Sequence, residues 1–447
     1  MKQKMLARLI AATCLAAPLA VAAQDLAPIK VAPAVTQAYA KIKVAPAVTQ
    51  VMAALKADDA RALEEQKRIA LIPGFSGEET QRSKYVLQRF KELGLKDAYI
   101  DPIGNVIGVR KGTNPDGLVV VMAAHIDSVF VNDTPLALTE KNGRIIGPGI
   151  ADNARGVASM LSMIKVMNET GIKTVGDIIF VGDVAEEGLG DLRGVKRVFA
   201  DIKNIDGFVT FDGGDIERPT TKATGSHRYE ITFSGPGGHS FGAFGKVPSS
   251  IHAMGRAIAK IGDVVPPASP KTTYTVGTAE GGTSINSIAQ RAMMRIDMRS
   301  NAMPSLLEVE KQILATLQPA ADEENKRWNT PKAITVDIKL VGDRPAGATP
   351  DDHPLVQAAD ASLRSLGDYR IKALTYASTD SNLPISLGIP AITIAKGGKS
   401  GNGHSLTEWY EPADAWRAVQ NGFLLTVGLV GVDGVSAPVL PNLPARK

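Results

Sequence analysis

Three things are scarce in this chain of 447 residues: cysteine, net charge and histidine. The single cysteine, Cys14, lies inside an N-terminal segment that reads as removable, so disulfides are excluded as a source of stability even in an oxidising compartment. The formal charge is only +4, and Lys2, Lys4 and Arg8 of that segment supply three of those charges. A nearly neutral remainder excludes the basic surface that a nucleic-acid or membrane partner would need, so neither is expected. Met1–Arg8 is a basic stretch, Leu9–Leu19 an apolar one and Ala20-Val21-Ala22-Ala23 a small-residue cleavage site. That order is the order of a secretory signal, too short to span a bilayer and remain there. A lipid anchor at Cys14 is disfavoured, because Thr13 stands where Gly, Ala or Ser would be needed. The expectation is a periplasmic or secreted protein that has lost residues 1–23.

A chain of this length outgrows one ordinary core, so one large and one smaller domain are expected. After the signal, the nonapeptide Ile29–Gln37 recurs residue for residue at Ile42–Gln50. Two copies are too few for a solenoid, and residues 24–52 read as a leader into a helix that begins near Val48. Helical spacing continues over Ala60–Ala70 and Gly77–Leu93, the second with Ser76 and Glu79 as a capping box.

What the chain does have is a series of apolar runs that end in charge. Leu118–Ala124 is apolar without alternation, as suits a strand covered on both faces of an α/β sheet, and it runs into His125-Ile126-Asp127. With a period of two, His125 and Asp127 share a face, so the imidazole could bind a metal while the carboxylate orients it. Asp177–Val181 runs into Glu186-Glu187. Adjacent carboxylates repel and are costly to desolvate, and a cation is the cheapest remedy. Because successive side chains diverge, one glutamate can bind a metal while the other acts as general base on water. Gly207–Phe211 ends in Asp212, and Ile389–Ala395 leads to His404, so two of only six histidines sit at strand ends. Asp152 lies in the Gly147–Gly156 loop before an apolar helix, Val157–Val166, either as an N-cap or as a bridging carboxylate. In open parallel sheets the ligand crevice lies at the C-terminal ends of the strands, where structural acids have no reason to gather.

From about Arg218 the pattern changes. Strands at Arg228–Ser234, Thr272–Val276, Arg291–Arg299 and Ala333–Leu340 and helices at Ser249–Ile261 and Ser305–Leu317 give a βαββαβ order. That order predicts an antiparallel, ferredoxin-like sheet with two helices on one face, inserted into the first domain. The fold expected is therefore α/β: a mostly parallel, helix-covered catalytic sheet with a smaller inserted α+β lid. The divisions drawn are 53–217 and 346–432 for the catalytic domain, 218–345 for the lid and 433–447 for a Pro-rich tail.

His125-x-Asp127, Asp152, Glu186-Glu187, Asp212 and His404, in this order, resemble the co-catalytic di-zinc metallopeptidase and deacylase family that includes peptidase T, glutamate carboxypeptidase, acetylornithine deacetylase and succinyl-diaminopimelate desuccinylase. The likeness runs from about Leu71 to Val430. It implies two Zn²⁺, replaceable by Co²⁺ or Mn²⁺, one held by His125, Asp152 and Asp212 and the other by Asp152, Glu187 and His404. It further implies Glu186 as general base and Asp127 as support for His125. His239 would donate to the oxyanion, reaching across from a second subunit, and Asn286 and Arg299 would grip the substrate backbone or carboxylate. A homodimer through residues 218–345 belongs to the same expectation, as does a lid whose closing gates the site.

In that family, aspartate at the position of Asp212 goes with aminopeptidases and dipeptidases, and glutamate with carboxypeptidases and deacylases. The resemblance therefore favours a secreted exopeptidase acting on short peptides, with an N-acyl-amino-acid deacylase or carboxypeptidase as the alternative. The loop Asp152-Asn153-Ala154-Arg155-Gly156 departs from the Asp-Asp-Lys-x-Gly form frequent in the family.

Overall fold

The computed structural model describes residues 27–444 and 446, so the N-terminal signal lies outside the described residues. A nine-stranded sheet carries the larger domain. Its four central strands lie in the order Asp177–Asp183, Val119–His125, Gly207–Gly213, Ala391–Ala395, and all pair in parallel. Their C-terminal ends therefore meet at one edge. Val119–His125 is buried along its whole length, and separate apolar clusters cover the two faces of the sheet. The chain leaves this strand toward Asp177–Asp183 on one side and later returns as Gly207–Gly213 on the other, which opens a crevice at the strand ends.

A second sheet, ordered Thr272–Gly281, Arg291–Ser300, Gly225–Ser234, Thr335–Arg344, is antiparallel throughout and has its own core. This is the ferredoxin-like order read from the sequence. Three helices accompany it rather than two: Ser250–Gly262, Met303–Leu314 and Leu317–Arg327. The run read as one helix ends at Leu314, and a second helix starts at Leu317.

Two local readings are corrected. Ser76 and Glu79 form no capping box: the helix is Thr80–Glu92, Ser76 Oγ donates to the Glu187 carbonyl (3.0 Å), and Glu79 Oε1 accepts from the amides of Gly77 (2.7 Å) and Ala185 (3.1 Å). Both residues brace the glutamate loop instead, a contact across more than a hundred positions that spacing does not reveal.

The duplicated segment is also not a passive leader. Each copy starts a helix, Pro33–Ile42 and Pro46–Ala57, with proline in the first turn, where its missing N–H costs nothing. Val35 and Val48, equivalent in the two copies, are both buried. Tyr39 Oη donates to the Leu424 carbonyl in helix Trp416–Val430, and Gly428 of that helix leaves room for its ring. The Pro-rich tail packs too, with Leu440 in the core.

A Cβ at residue 428 would lie 2.6 Å from Cζ of Tyr39. Helix propensity alone would make Gly428→Ala stabilising by about 1 kcal/mol, whereas overpacking costs about 1–3 kcal/mol. The expected result is a lower unfolding midpoint by calorimetry or denaturant titration. A higher midpoint would show that the Tyr39 contact yields freely.

Candidate metal centre

Each of the four central strands delivers part of the site. His125 ends its strand, and its Nδ1 lies 3.4 Å from Asp127 Oδ1. The Asp127 carboxylate also accepts the backbone amides of Glu186 and Glu187, each at 3.0 Å, so one buried side chain orients the histidine and the glutamate loop together. The Asp152 loop is set by Glu408, whose carboxylate accepts the amides of Gly149 (3.2 Å), Ala151 (2.7 Å) and Asp152 (2.9 Å). The helix after it, Ala154–Glu169, is capped by Asn153, which accepts from the Gly156 amide (3.1 Å). Asp152 is thereby released from capping. Gly156 packs so closely on the Phe211 carbonyl and the Asn153 side chain that no Cβ would fit.

The two oxygens of Asp152 face different imidazoles. Oδ1 is 3.4 Å from His125 Nε2, which is 3.6 Å from Asp212 Oδ1. Oδ2 is 3.3 Å from His404 Nε2, which is 3.2 Å from Glu187 Oε1. Donors held tetrahedrally around an ion at about 2.0–2.1 Å stand roughly 3.3–3.4 Å apart, and the histidine–carboxylate separations on both sides of Asp152 are close to that spacing. His125, Asp152 and Glu187 also group within 4.8 Å. His404 adopts a left-handed backbone, φ 62°, a costly conformation for a non-glycine residue that occurs where a side chain must be aimed.

Charge is distributed unevenly. Burial pushes the Glu186 carboxyl well up, against Arg344, whose Nη1 is 3.0 Å from Glu186 Oε1. Burial would also raise Asp152, but Lys396, His125 and His404 hold it well below the usual range. Burial would lower His125, but Asp127, Asp152 and Asp212 outweigh it and raise it well above an ordinary imidazole. His404 is pushed up to about 10, mainly by hydrogen bonds to Asp152 and Glu187.

A cleft of about 260 Å³ is lined by Asp152, Glu186, Glu187, Asp212 and His404, and also by Arg228, Arg299, Arg344 and Ser378. Arg299 is thus brought to the site, anchored through Nε to Asp297 Oδ2 (2.7 Å). His239 and Asn286 are not among the lining residues. They lie on a short exposed ribbon in which Gly238–His239 pairs with Ser287–Ile288. His239 Nδ1 accepts the amides of Phe241 (3.2 Å) and Gly242 (3.3 Å), which leaves Nε2 as the ring's donor.

The sequence of Peptidase family M20/M25/M40 matches residues 121–423. The chain belongs to this family. It is therefore a hydrolase with a His/Asp/Glu metal site, from a family whose members include peptidases and amidohydrolases. The N-formyl-4-amino-5-aminomethyl-2-methylpyrimidine deformylase of Bacillus subtilis is 27% identical over 341 residues, 68% of this chain and 78% of that protein. The N-carbamoyl-L-amino acid amidohydrolase of Geobacillus stearothermophilus is 35% identical, but over 26% of this chain and only 24% of its own length. Among solved structures, a tripeptidase from Staphylococcus aureus superposes with a TM-score of 0.67 at 20% identity, covering 82% of this chain and 97% of that one. Aminopeptidase PepT from Bacillus cereus gives 0.62 at 22%, covering 83% and 98%. At such identities these two show the fold of the M20 chain.

Sequence reasoning missed Glu408, Arg228, Arg344 and Lys396. Lys396 alone left a signal: it directly follows strand Ala391–Ala395, at the edge where the other strands deliver ligands.

With both imidazoles raised, the metal-free protein holds them protonated at pH 7, and a bound ion must displace those protons. Affinity should therefore rise with pH up to about 10, the value of His404. Adding Zn²⁺ to stripped protein in weak buffer at pH 7 should acidify the solution by a proton from each imidazole. A pH-independent affinity would contradict this.

Proposed function

We propose that this M20 hydrolase is a secreted zinc-dependent exopeptidase of the aminopeptidase or di- and tripeptidase type, acting on short peptides. The observation that carries the reading is the Asp152 carboxylate turned toward two imidazoles, each also close to a second carboxylate, with Glu186 beside them in the same cleft. In this reading His125, Asp152 and Asp212 hold one Zn²⁺, and Asp152, Glu187 and His404 the other. Bound divalent ions supply Lewis acidity, bringing the pKa of water toward about 7 and polarising the scissile carbonyl.

The remaining work falls to side chains. Glu186 takes the proton from the attacking water and returns it to the leaving amine. Arg344 fixes its Oε1, which leaves the other oxygen to move the proton. Arg299 pairs with the substrate carboxylate, a task suited to a planar fork. The small cleft suits a substrate of a few residues. His239, with its Nε2 donor, and Asn286 would complete the site from a second copy of the chain through residues 218–345, and residues 1–23 would direct export.

A second reading has its own support. The deformylase and the amidohydrolase are named for amide bonds outside peptides. A panel of free N-terminal peptides against N-acylated amino acids separates the two, and exclusive turnover of the acylated set would transfer the assignment to a deacylase.

Chelation should abolish peptide hydrolysis, and Zn²⁺, Co²⁺ or Mn²⁺ should restore it. Glu186→Gln should keep the metal content and lower kcat by about 10²–10⁴. Activity indifferent to chelation ends the metallo-hydrolase reading, and an unchanged kcat moves the base elsewhere. His239→Ala should lower kcat by about 10²–10³ in a protein that light scattering finds dimeric. A fully active monomer would remove His239 from the site.

A further inference from the structure

The two donor sets are not equivalent, and the difference is a lysine. Lys396 is fixed at the end of strand Ala391–Ala395. Its amide donates to the Gly213 carbonyl (2.9 Å), and its own carbonyl accepts from Arg155 Nε (3.1 Å) and Ser159 Oγ (2.8 Å) of helix Ala154–Glu169. With its backbone pinned, the buried side chain reaches Asp152 Oδ1 (3.3 Å) and Asp212 Oδ1 (3.1 Å). These are the same two oxygens that face His125 Nε2. The other set, Asp152 Oδ2, Glu187 Oε1 and His404 Nε2, has no such ammonium among the contacts of Lys396.

We propose that Lys396 is a positioning residue that makes the two metal positions unequal: its ammonium competes for the Asp152–Asp212 oxygens, so the His404 position fills first and the His125 position only weakly. This rests on the metal centre of the proposed function. The physical basis is charge. An ammonium in contact with both oxygens already neutralises part of the charge that would attract an ion, and it repels a divalent cation across a few ångströms in a buried, weakly screened setting. It also holds those oxygens ready, so the weak position remains formed when empty. The resting protein would then carry one ion, and the second would join at higher free-metal concentration.

The test is a competitive calorimetric titration of chelator-stripped full-length protein with Zn²⁺, with bound metal counted by mass spectrometry after dialysis. The wild type should show two steps at least tenfold apart and keep one ion through dialysis. His404→Ala should remove the tight step and Asp212→Ala the weak one. Lys396→Met, similar in length but uncharged, should tighten the weak step at least tenfold, while Lys396→Arg, which keeps the charge, should preserve the gap. Circular dichroism and unfolding midpoints establish that each variant is folded, and should Lys396→Met fail to fold, the wild-type steps and Lys396→Arg still decide. Two steps of equal affinity in the wild type, or a gap unchanged in folded Lys396→Met, would overturn the role of Lys396 and leave the metal centre standing. Failure of every form to bind metal would overturn the centre itself, and the proposed function with it.

Discussion

Four carboxylates, those of Asp152, Glu186, Glu187 and Asp212, line one small cleft, and the surrounding structure is arranged to make that concentration of negative charge tolerable. Left in a cavity of low polarity without cations, such a cluster would shed its charge by taking up protons. The protein meets the problem in layers. Arg344 stands against Glu186 and Lys396 against Asp152 and Asp212, while His125 and His404 fill the two gaps between carboxylates. Divalent ions would take the place of the protons that the two imidazoles share with the carboxylates.

Holding like charges together also requires rigid anchors, and these are backbone contacts made by buried acids. Asp127 gathers two consecutive amides of the glutamate loop, and Glu408 gathers three amides of the Asp152 loop. Each acid trades a desolvated charge for several charge-assisted hydrogen bonds, which are stronger than neutral ones. Glu79 adds a third brace at Ala185. The candidate ligands are therefore positioned by side chains that lie outside the two donor sets, an arrangement general to metal sites. Another buried pair, Asp183 and Asp380, lies within electrostatic reach of His125, and burial raises both carboxyls.

The lid joins this network at two points. Arg344 closes the last lid strand and grips Glu186, so the segment that leads out of the lid is tied directly to that carboxylate. Asp297 holds Arg228 and Arg299 together, which sets the orientation of the guanidinium that faces the cleft. Movement of the lid would thus alter the surroundings of Glu186 and of Arg299 at once. His239 and Asn286, at an exposed ribbon, are not among the residues that line this cleft.

What the sequence determined by itself was the strand ends and the charged residues they carry. Continuous apolar runs that stop at His125, Glu186-Glu187, Asp212 and the His404 loop are local patterns, and a parallel sheet necessarily brings such ends to one edge. The βαββαβ order of the lid was legible for the same reason. Only the tertiary structure decided which charges meet. Lys396 with Asp152, Arg344 with Glu186 and Glu408 with the Asp152 loop join residues 158 to 259 positions apart, and no periodicity encodes such partners. The helical duplication and the failed capping box follow the same rule. The helices that begin at Pro33 and Pro46 each bury an equivalent valine, Val35 and Val48, and Glu79, although it stands directly before its own helix, accepts from the Ala185 amide of the glutamate loop. Local preference proposes a conformation, and packing between distant segments selects it.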